Sequence, residues 1–277
     1  MTKLDGFFVR FWGVRGSIAC PGPGTVRYGG NTSCLEVRCG ERIFILDAGT
    51  GLKPFDAALG GEGTLDADVL FTHTHLDHIW GWPWFTRLLR TDTALTVWAG
   101  HLLPDHAIEA VLARLLDEPF APVRRETIQA RLVFRDFRAG ETFTPRPGVR
   151  VRTAPLNHPQ AATGYRLEYD GRSICYLTDT EHLPGKPDAN ILGLIDGADM
   201  VIYDSTYTEA EFAAHRGWGH STWEEGARLC DAAGVKTFVV FHHDPDHDDA
   251  FMDRIAAEVA RVRPGSVVAR EGLTLAP

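Results

Sequence analysis

Residues 67–84 read ADVLFTHTHLDHIWGWPW, and this stretch decides how the rest of the chain is interpreted. The apolar run at 69–71 predicts a short buried strand. A polar cluster follows the run directly and holds four side chains that can bind a transition metal: His73, His75, Asp77 and His78. Side chains alternate along an extended segment, so the first three are expected on one face and His78 on the other. One short loop could therefore serve two neighbouring ions.

The composition is that of an ordinary globular protein. The 277 residues are 44% hydrophobic and 23% charged, enough to bury a sizeable core, and we expect one domain spanning 1–277. A formal net charge of −9 argues against stable binding of nucleic acid or of an anionic membrane surface. No apolar stretch reaches the roughly 20 residues of a membrane helix, and the N-terminus lacks the apolar core of a signal peptide. Five scattered cysteines without a Cys-x-x-Cys pair fit a reducing cytoplasm.

The pattern His-x-His-x-Asp-His at 73–78 resembles the first metal motif of the metallo-β-lactamase superfamily. The resemblance implies an α/β fold, a four-layer αββα sandwich with a binuclear metal site on one edge. It also implies that Asp47, in the Asp-x-Gly-x-Gly turn at 47–51, supports the metal loop from behind. GVRGS at 13–17 and GGNTS at 29–33 resemble the ribonuclease Z and cyclic-phosphodiesterase branches. Arg15 and Asn31 in these segments either line the site or shape the loop, and shaping the loop is the preferred expectation.

The same resemblance assigns the remaining ligands to the ends of later strands. His158 follows a strand predicted at 149–153, and Asp179 follows one predicted at 173–177. His242 follows a strand predicted at 237–241 and is preferred to His243, which would project to the opposite face. The implied set has His73, His75 and His158 on one ion, Asp77, His78 and His242 on the other, and Asp179 between them.

The implied ligands favour two divalent ions. Nitrogen and oxygen ligands without a thiolate suit zinc, with manganese and iron as alternatives. Two ions about 3.5–4 Å apart can share a hydroxide, because metal binding lowers the pKa of water toward about 7. A metal-bound hydroxide is therefore the expected nucleophile.

A second motif lies outside the ligand set. Gly219-His220-Ser221-Thr222 resembles the ribonuclease Z branch, whose equivalent histidine acts near the scissile phosphate. By that resemblance His220 stabilises the phosphoryl charge or protonates the leaving oxygen, and Asp204 pairs with it. The catalytic residues implied are Asp77, His220 and Asp204. Ser221 and Glu224 have capping-box spacing, which makes Ser221 the expected N-cap of a helix at 223–233.

Several kinds of function compete for this site. We expect a cytoplasmic phosphodiesterase acting on a cyclic phosphate or nucleotide-like small molecule, with a homodimer left open. A tRNA-processing nuclease is an alternative, but the tRNA-grasping arm of that branch would lie between His158 and Asp179. Only 20 residues and one predicted hairpin separate these two positions here. A thioesterase of the glyoxalase II type and a metal-holding sensor without turnover complete the alternatives.

The rest of the chain predicts elements around this site. Strands are expected at 7–14, 34–39, 42–46, 95–99, 132–137, 165–169, 200–203 and 267–275, and helices at 105–117 and 252–262. Asp170-Gly171 predicts a hairpin turn. The segment 247–249 is expected to be a solvated helix start. The three indoles Trp80, Trp82 and Trp84 could wall a substrate pocket or belong to the core; most are expected to be buried, with one left to face the site.

Overall fold

The computed structural model describes residues 6–60, 63–119, 121 and 124–277. Its strands are β1 (Phe7–Gly13), β2 (Cys34–Cys39), β3 (Arg42–Leu46), β4 (Leu65–Phe71), β5 (Thr93–Ala99), β6 (Arg131–Asp136), β7 (Thr142–Arg146), β8 (Val149–Leu156), β9 (Ala162–Tyr169), β10 (Arg172–Leu177), β11 (Met200–Asp204), β12 (Thr237–Phe241), β13 (Val267–Val268) and β14 (Thr274–Leu275). Its α-helices are α1 (Leu52–Ala58), α2 (Leu76–Ile79), α3 (Ile108–Arg114), α4 (Ala189–Ile195), α5 (Glu209–Phe212), α6 (Trp223–Ala232) and α7 (Asp249–Val262).

The strands of the described residues form two mixed sheets. The first has the order β14-β1-β2-β3-β4-β5-β6, and the second has the order β13-β12-β11-β10-β9-β8-β7. Strands β3 to β6 are parallel to one another, as are β10 to β13. The carboxyl ends of parallel strands meet at one edge of a sheet, so the loops after β4, β10, β11 and β12 are brought to the same edge of the sandwich.

Three apolar layers hold the sandwich together. The central layer contains residues of both sheets, such as Phe11 and Val37 from the first sheet and Tyr176 and Val239 from the second. One outer layer packs α1 and α3 on the first sheet, and the other packs α4, α6 and α7 on the second. Each sheet is therefore apolar on both faces, as parallel sheets usually are. The predicted four-layer αββα architecture is confirmed.

The C-terminal segment differs from the single strand predicted at 267–275. Val267–Val268 pairs with β12 in the second sheet, and Thr274–Leu275 pairs with β1 in the first. A turn at Glu271 and Gly272 lies between the two pieces. The segment crosses from one sheet to the other, and two strands of two residues each are too short for alternation to reveal that crossing.

Two predicted helices also have different limits or surroundings. The helix expected at 105–117 covers Ile108–Arg114, and its first amide donates to the Asp136 carboxylate at 3.0 Å. The segment predicted as a solvated helix start does begin α7, and its N-cap Asp248 is exposed, but His247 is buried and so is Asp249. The Asp249 carboxylate accepts from the backbone amides of Arg27 and Tyr28 at 2.9 and 3.1 Å. No helix among the described residues has the length and apolar character needed to cross a membrane.

Candidate metal centre and active site

Seven side chains from both sheets converge at the edge formed by the strand ends. Three sets of potential ligand atoms each lie within 4.8 Å of one another. One of them, Asp179, Asp204, His220 and His242, overlaps the inner group defined next and adds two residues that the sequence did not place among the ligands. The outer group is His73, His75 and His158, and the inner group is Asp77, His78, Asp179 and His242. These are the seven residues that the sequence placed in one ligand set. His243 lies outside both groups, since its Nε2 instead bonds the Ala269 carbonyl at 2.8 Å.

Asp179 lies between the two groups. Its Oδ1 is 3.7 Å from Nε2 of His73 and 3.7 Å from Nε2 of His158. Its Oδ2 is 3.1 Å from Nε2 of His78 and 3.2 Å from Nε2 of His242. One oxygen faces the outer group and the other faces the inner group, which is the arrangement that a bridging carboxylate requires.

The extended geometry expected for the metal loop holds only as far as His75. That residue is extended and precedes α2, which begins at Leu76. Helical geometry then turns Asp77 and His78 to the same side, so that Oδ2 of Asp77 lies 3.2 Å from Nε2 of His78. The prediction that Asp77 shares a face with His73 and His75 is wrong. Asp77 instead lies with His78, Asp179 and His242, and the assignment of the two groups to two ions stays a prediction.

Each histidine of the cluster holds one ring nitrogen against a partner. The contacts are His78 Nδ1 to the Asp47 carboxylate at 2.8 Å, His158 Nδ1 to the Gly219 carbonyl at 2.8 Å, His242 Nδ1 to the Thr206 hydroxyl at 3.0 Å, His73 Nδ1 to the Thr72 hydroxyl at 3.2 Å, and His75 Nε2 to the Gln160 side-chain oxygen at 2.7 Å. Such contacts fix the tautomer and the ring orientation of metal ligands. The other nitrogen of every ring faces the cluster.

The ring nitrogens that face the cluster are suited to binding a divalent cation. The Nε2 atoms of His73, His78 and His242 are buried and have no hydrogen-bond partner among the described residues. A buried polar atom without a partner costs free energy, which a bound ion would remove. Five imidazoles and two carboxylates without a thiolate form a donor set suited to zinc, manganese or iron.

The electrostatics of His73 and Asp179 suit metal ligands that must be deprotonated. At His78 burial opposes protonation, but the carboxylates of Asp77 and Asp179 outweigh it and hold the pKa of that ring well above its usual value. Burial, reinforced by the neighbouring His78, holds the pKa of His73 well below its usual value. Burial opposes ionisation of Asp179, but His242 and His78 outweigh it and hold the pKa of that carboxyl well below its usual range. Neutral imidazole and ionised carboxylate are the forms that bind metal ions.

The backbone around the cluster is strained. Asp47, Asp179 and His242 have φ values of 59°, 61° and 63°. Residues other than glycine rarely adopt this region of backbone conformation. Each of the three residues follows a strand directly or by one residue, and the turn aims its side chain at the centre. Gly16 is needed for a different reason, because a Cβ there would lie 2.5 Å from the His242 ring. Strain of this kind costs about 1–3 kcal/mol at each residue and is typical of functional sites.

His220 lies beside the cluster and is paired with Asp204. Its Nδ1 is 2.9 Å from Oδ2 of Asp204 and 3.7 Å from Oδ1 of Asp179. Burial alone would lower the pKa of His220, but the Asp204 carboxylate outweighs it and raises the pKa to about 9. Asp204 is itself held by the backbone amides of Thr206 and Ser221 at 3.1 and 3.3 Å. The pair is therefore rigid and can present a cationic donor to the cluster.

Ser221 does not cap the following helix, so that prediction is wrong. Thr222 is the N-cap of α6, and its hydroxyl accepts from the Glu225 amide at 3.1 Å. The Ser221 hydroxyl instead bonds His182 Nδ1 at 2.8 Å and Tyr203 at 2.9 Å. Serine and threonine cap helices almost equally well, so the sequence could not choose between two adjacent candidates.

Several residues that hold the site were missed. Gln160, Thr206 and Thr72 orient histidines, and the Ser17 amide donates to Oδ2 of Asp77 at 2.8 Å. None carries a sequence signal, because each contact except that of Thr72 joins segments far apart in the chain.

Arg15 shapes the N-terminal loop, as expected. Its buried guanidinium donates to the carbonyls of Gly29, Asp244 and His247 at 2.7, 3.0 and 2.6 Å. Arg15 also forms isolated bridges with Thr32 and His243. The loop that carries Ser17 is thereby tied to the segment that follows His242.

The expectation that most of the three indoles after the metal loop are buried is wrong. Trp82 is buried, but Trp80 and Trp84 are 46% and 48% exposed. The chain forms a short 3-10 helix over Trp82–Trp84. Trp82 packs in the outer apolar layer of the first sheet, whereas Trp80 and Trp84 face solvent.

Comparisons with known proteins show the family and the fold. The family model described as beta-lactamase superfamily domain matches residues 42–243. Ribonuclease Z of Mycobacterium marinum is 29% identical over 240 residues, which cover 76% of this chain and 78% of that protein. Zn(2+)-bound PqqB from Methylobacterium extorquens has a similar structure, with a TM-score of 0.71 and 19% identity over 98% of this chain and 100% of its own. A diphosphatase from the PhnP family has a TM-score of 0.70 and 19% identity, covering 97% of this chain and 97% of its own.

Proposed function

This chain belongs to the beta-lactamase superfamily and is a metal-dependent hydrolase, and we propose that it cleaves phosphodiesters at a binuclear metal site. The proposed substrate is a cyclic phosphate or a nucleotide-like small molecule. The observation that carries the proposal is the buried His220–Asp204 pair at 2.9 Å, directly beside the seven-residue cluster.

The proposed ligands follow from the contacts within the cluster. The outer group would hold one ion and the inner group the other, with Asp179 contributing an oxygen to each. When bound, two divalent ions lower the pKa of water and supply positive charge to a phosphoryl group. Zinc is the proposed metal, supported by the donor set and by the zinc bound in PqqB.

His220 provides what a ligand set alone does not. A phosphodiester gains negative charge on its phosphoryl oxygens and on the leaving oxygen during cleavage. An imidazolium held by Asp204 can donate a hydrogen bond to either oxygen, and it can transfer its proton to the leaving group. Thioester hydrolysis involves no phosphoryl charge of this kind. The similar structure of a diphosphatase from the PhnP family supports hydrolysis at a phosphoryl centre on this fold.

An RNA substrate is the second candidate, favoured by the similarity to a ribonuclease Z. Two observations weigh against it. Strands β9 and β10 are joined directly by the Asp170-Gly171 turn, so no arm leaves the described chain between His158 and Asp179. The net charge of −9 also disfavours a long polyanion. We therefore place small phosphodiesters first.

A substrate screen tests the proposal. The protein is loaded separately with zinc, manganese and iron and assayed with bis-p-nitrophenyl phosphate, cyclic nucleotides, cyclic ribose phosphates, a pre-tRNA, thioesters and a β-lactam. We expect turnover of the diesters and none of the β-lactam. Turnover of thioesters without turnover of any diester would contradict the proposal, and cleavage of the pre-tRNA alone would favour the second candidate.

A further inference from the structure

Glu181 connects the segment of the bridging carboxylate to the segment of an outer ligand. It lies two residues after Asp179 in the sequence. Its amide donates to the Asn157 carbonyl at 2.7 Å, and the Asn157 side-chain amide donates to the Glu181 carbonyl at 2.7 Å. Because His158 directly follows Asn157, these two hydrogen bonds fix the position of one strand end relative to the other. The Glu181 side chain is left to make a third connection.

The Glu181 carboxylate holds the loop that leads to His220. Its Oε2 accepts from the backbone amides of Gly217 and Gly219 at 2.8 and 2.9 Å, and its Oε1 accepts from the Gly217 amide at 2.9 Å. A charged acceptor forms hydrogen bonds roughly twice as strong as those of a neutral one. Both glycines have positive φ values, 87° and 86°, so without the carboxylate their backbone would have other conformations open to it.

The loop that Glu181 holds is in contact with the outer group. The Gly219 carbonyl accepts from Nδ1 of His158 at 2.8 Å. The two residues lie close together, because a Cβ on Gly219 would lie 2.3 Å from the same nitrogen. The other ring nitrogen, Nε2, lies 3.7 Å from Oδ1 of Asp179. A change in the position of Gly219 would therefore shift the ring that presents Nε2 to the outer ion.

The same loop leads directly to His220. That residue follows Gly219, is buried, and contacts Oδ2 of Asp204 through Nδ1 at 2.9 Å. Asp204 orients the ring, whereas Gly219 sets where the backbone enters the site. Glu181 itself belongs to none of the three groups of potential ligands found among the described residues. Its connection to the site therefore runs through Gly219.

We infer that Glu181 is a positioning residue that holds Gly219 against His158, and that it thereby sets the affinity of the outer group for its ion and the position of His220. The effect on the ion depends only on the ligand set, whereas the effect on His220 rests on the proposed function. Coupled equilibria are reciprocal, so an ion on the outer group also stabilises the loop. The alternative is a role confined to the stability of a surface turn.

The test compares the loss of this carboxylate with the loss of a similar one elsewhere. Glu181→Ala removes all three contacts, whereas Glu181→Gln keeps one side-chain oxygen, which can accept from both glycine amides as Oε2 does. Asp188→Ala is the matched control. The Asp188 carboxylate also accepts from two backbone amides, those of Asn190 and Ile191 at 2.8 and 3.2 Å, but it caps α4 on the outer face of the second sheet.

Zinc titration is the first measurement. Competition with a fluorescent chelator gives the two dissociation constants of the full chain. Glu181→Ala should weaken the outer ion about tenfold, the usual effect of losing a residue that supports a metal ligand, and leave the inner ion unchanged. Glu181→Gln should retain most of the affinity, and Asp188→Ala should lower only the melting temperature. Wild-type affinity for the outer ion in Glu181→Ala, with or without a lower melting temperature, overturns the inference, and so does equal weakening of both ions.

Amide hydrogen exchange tests the same coupling in the unsubstituted protein. Zinc on the outer group should slow exchange at Gly217 and Gly219 several-fold, because it fixes His158 and through it the Gly219 carbonyl. In Glu181→Ala both amides should exchange rapidly with and without zinc. Exchange rates at the two glycines that do not respond to zinc in the wild-type protein overturn the inference.

Turnover separates this inference from the proposed function. At saturating zinc, Glu181→Ala should lower kcat for bis-p-nitrophenyl phosphate about tenfold with little change in KM, because His220 acts in the transition state. An unchanged kcat overturns the assigned effect on His220. If the wild-type protein hydrolyses no phosphodiester, the proposed function is contradicted, and the zinc titration and the exchange rates decide about Glu181.

Discussion

The two halves of the metal cluster differ in burial and in charge. All four members of the inner group are buried, whereas His75 and His158 of the outer group are only partly buried. The inner group contains Asp77 and shares Asp179, and a third carboxylate, Asp47, lies behind His78 at 2.8 Å. The outer group has three imidazole rings and only the far oxygen of Asp179. The inner half is thus more negative and more preorganised, and we expect it to bind its ion more tightly.

The partners of the two halves differ in the same way. His78 is held by a buried carboxylate that also accepts from the Thr72 amide at 2.8 Å and from the Tyr176 hydroxyl at 2.9 Å. His75 is held by the side-chain oxygen of Gln160, in an exposed contact. The inner half belongs to the core of the sandwich, and the outer half reaches toward its surface through His75 and His158. The predictions below test this division.

The largest effect is expected at the residue that joins the halves. Asp179→Ala should lower metal content toward one ion per chain and reduce kcat by about 10³-fold or more, since a bridging charge worth several kcal/mol is lost. Elemental analysis and steady-state kinetics measure both. Asp170→Ala is the control, because Asp170 also has a positive φ, of 50°, but lies in the β9–β10 turn. Two bound metals and a normal rate in Asp179→Ala would disprove the bridge.

The second-largest effect is expected at His220, where the loss of activity should occur without a loss of metal. His220→Ala should lower kcat by about 10²–10³-fold while both ions stay bound, because one charged donor to the substrate is lost.

Asp204→Asn should give a smaller loss in the same direction. It keeps one oxygen for the amides of Thr206 and Ser221 and removes the carboxylate that orients the ring. The double variant should be little worse than His220→Ala alone, because Asp204 acts through the histidine. A loss of metal in His220→Ala would instead make His220 a ligand, as its place near Asp179, Asp204 and His242 allows.

Variants of the residues that orient the histidines should affect the two ions differently. Asp47→Asn should weaken the inner ion about 10–100-fold, since partners of metal-bound histidines usually contribute that much affinity. Gln160→Asn should weaken the outer ion by about tenfold. Asparagine tolerates the φ of 61° at this position but is too short to reach His75. Competitive titration with a fluorescent chelator measures the two dissociation constants. Equal effects of both variants on both ions would remove the distinction between inner and outer halves.

The smallest effect concerns stability. Chelation should remove the outer ion first, abolishing activity while the melting temperature falls only slightly. Loss of the inner ion should then lower the melting temperature by several degrees, because a ligand at 100 times its dissociation constant stabilises the fold by about 2.7 kcal/mol. Calorimetry and elemental analysis at each chelator concentration follow the two steps. An unchanged melting curve with both ions gone would show that the site does not support the fold.

Local patterns in the sequence were enough to predict most of the strands, whereas the architecture and the proposed ligand set came from the resemblance carried by the motif at 73–78. Each predicted ligand lies within a few residues of a strand end, and strands such as β4 and β12 are apolar runs that a short window detects. The motif at 73–78 and its resemblance then supplied the fold and the family. That residues 1–277 form one domain stays a prediction.

Only the tertiary structure determined which side chains from distant segments contact one another. Because α2 begins at Leu76, Asp77 lies in the inner group. Gln160 contacts His75. Two indoles that were expected to be buried are exposed. Periodicity reports which side of an element is apolar, but it does not report what lies opposite that side. Gln160 and His75 are 85 residues apart in the chain and meet only because two sheets pack face to face.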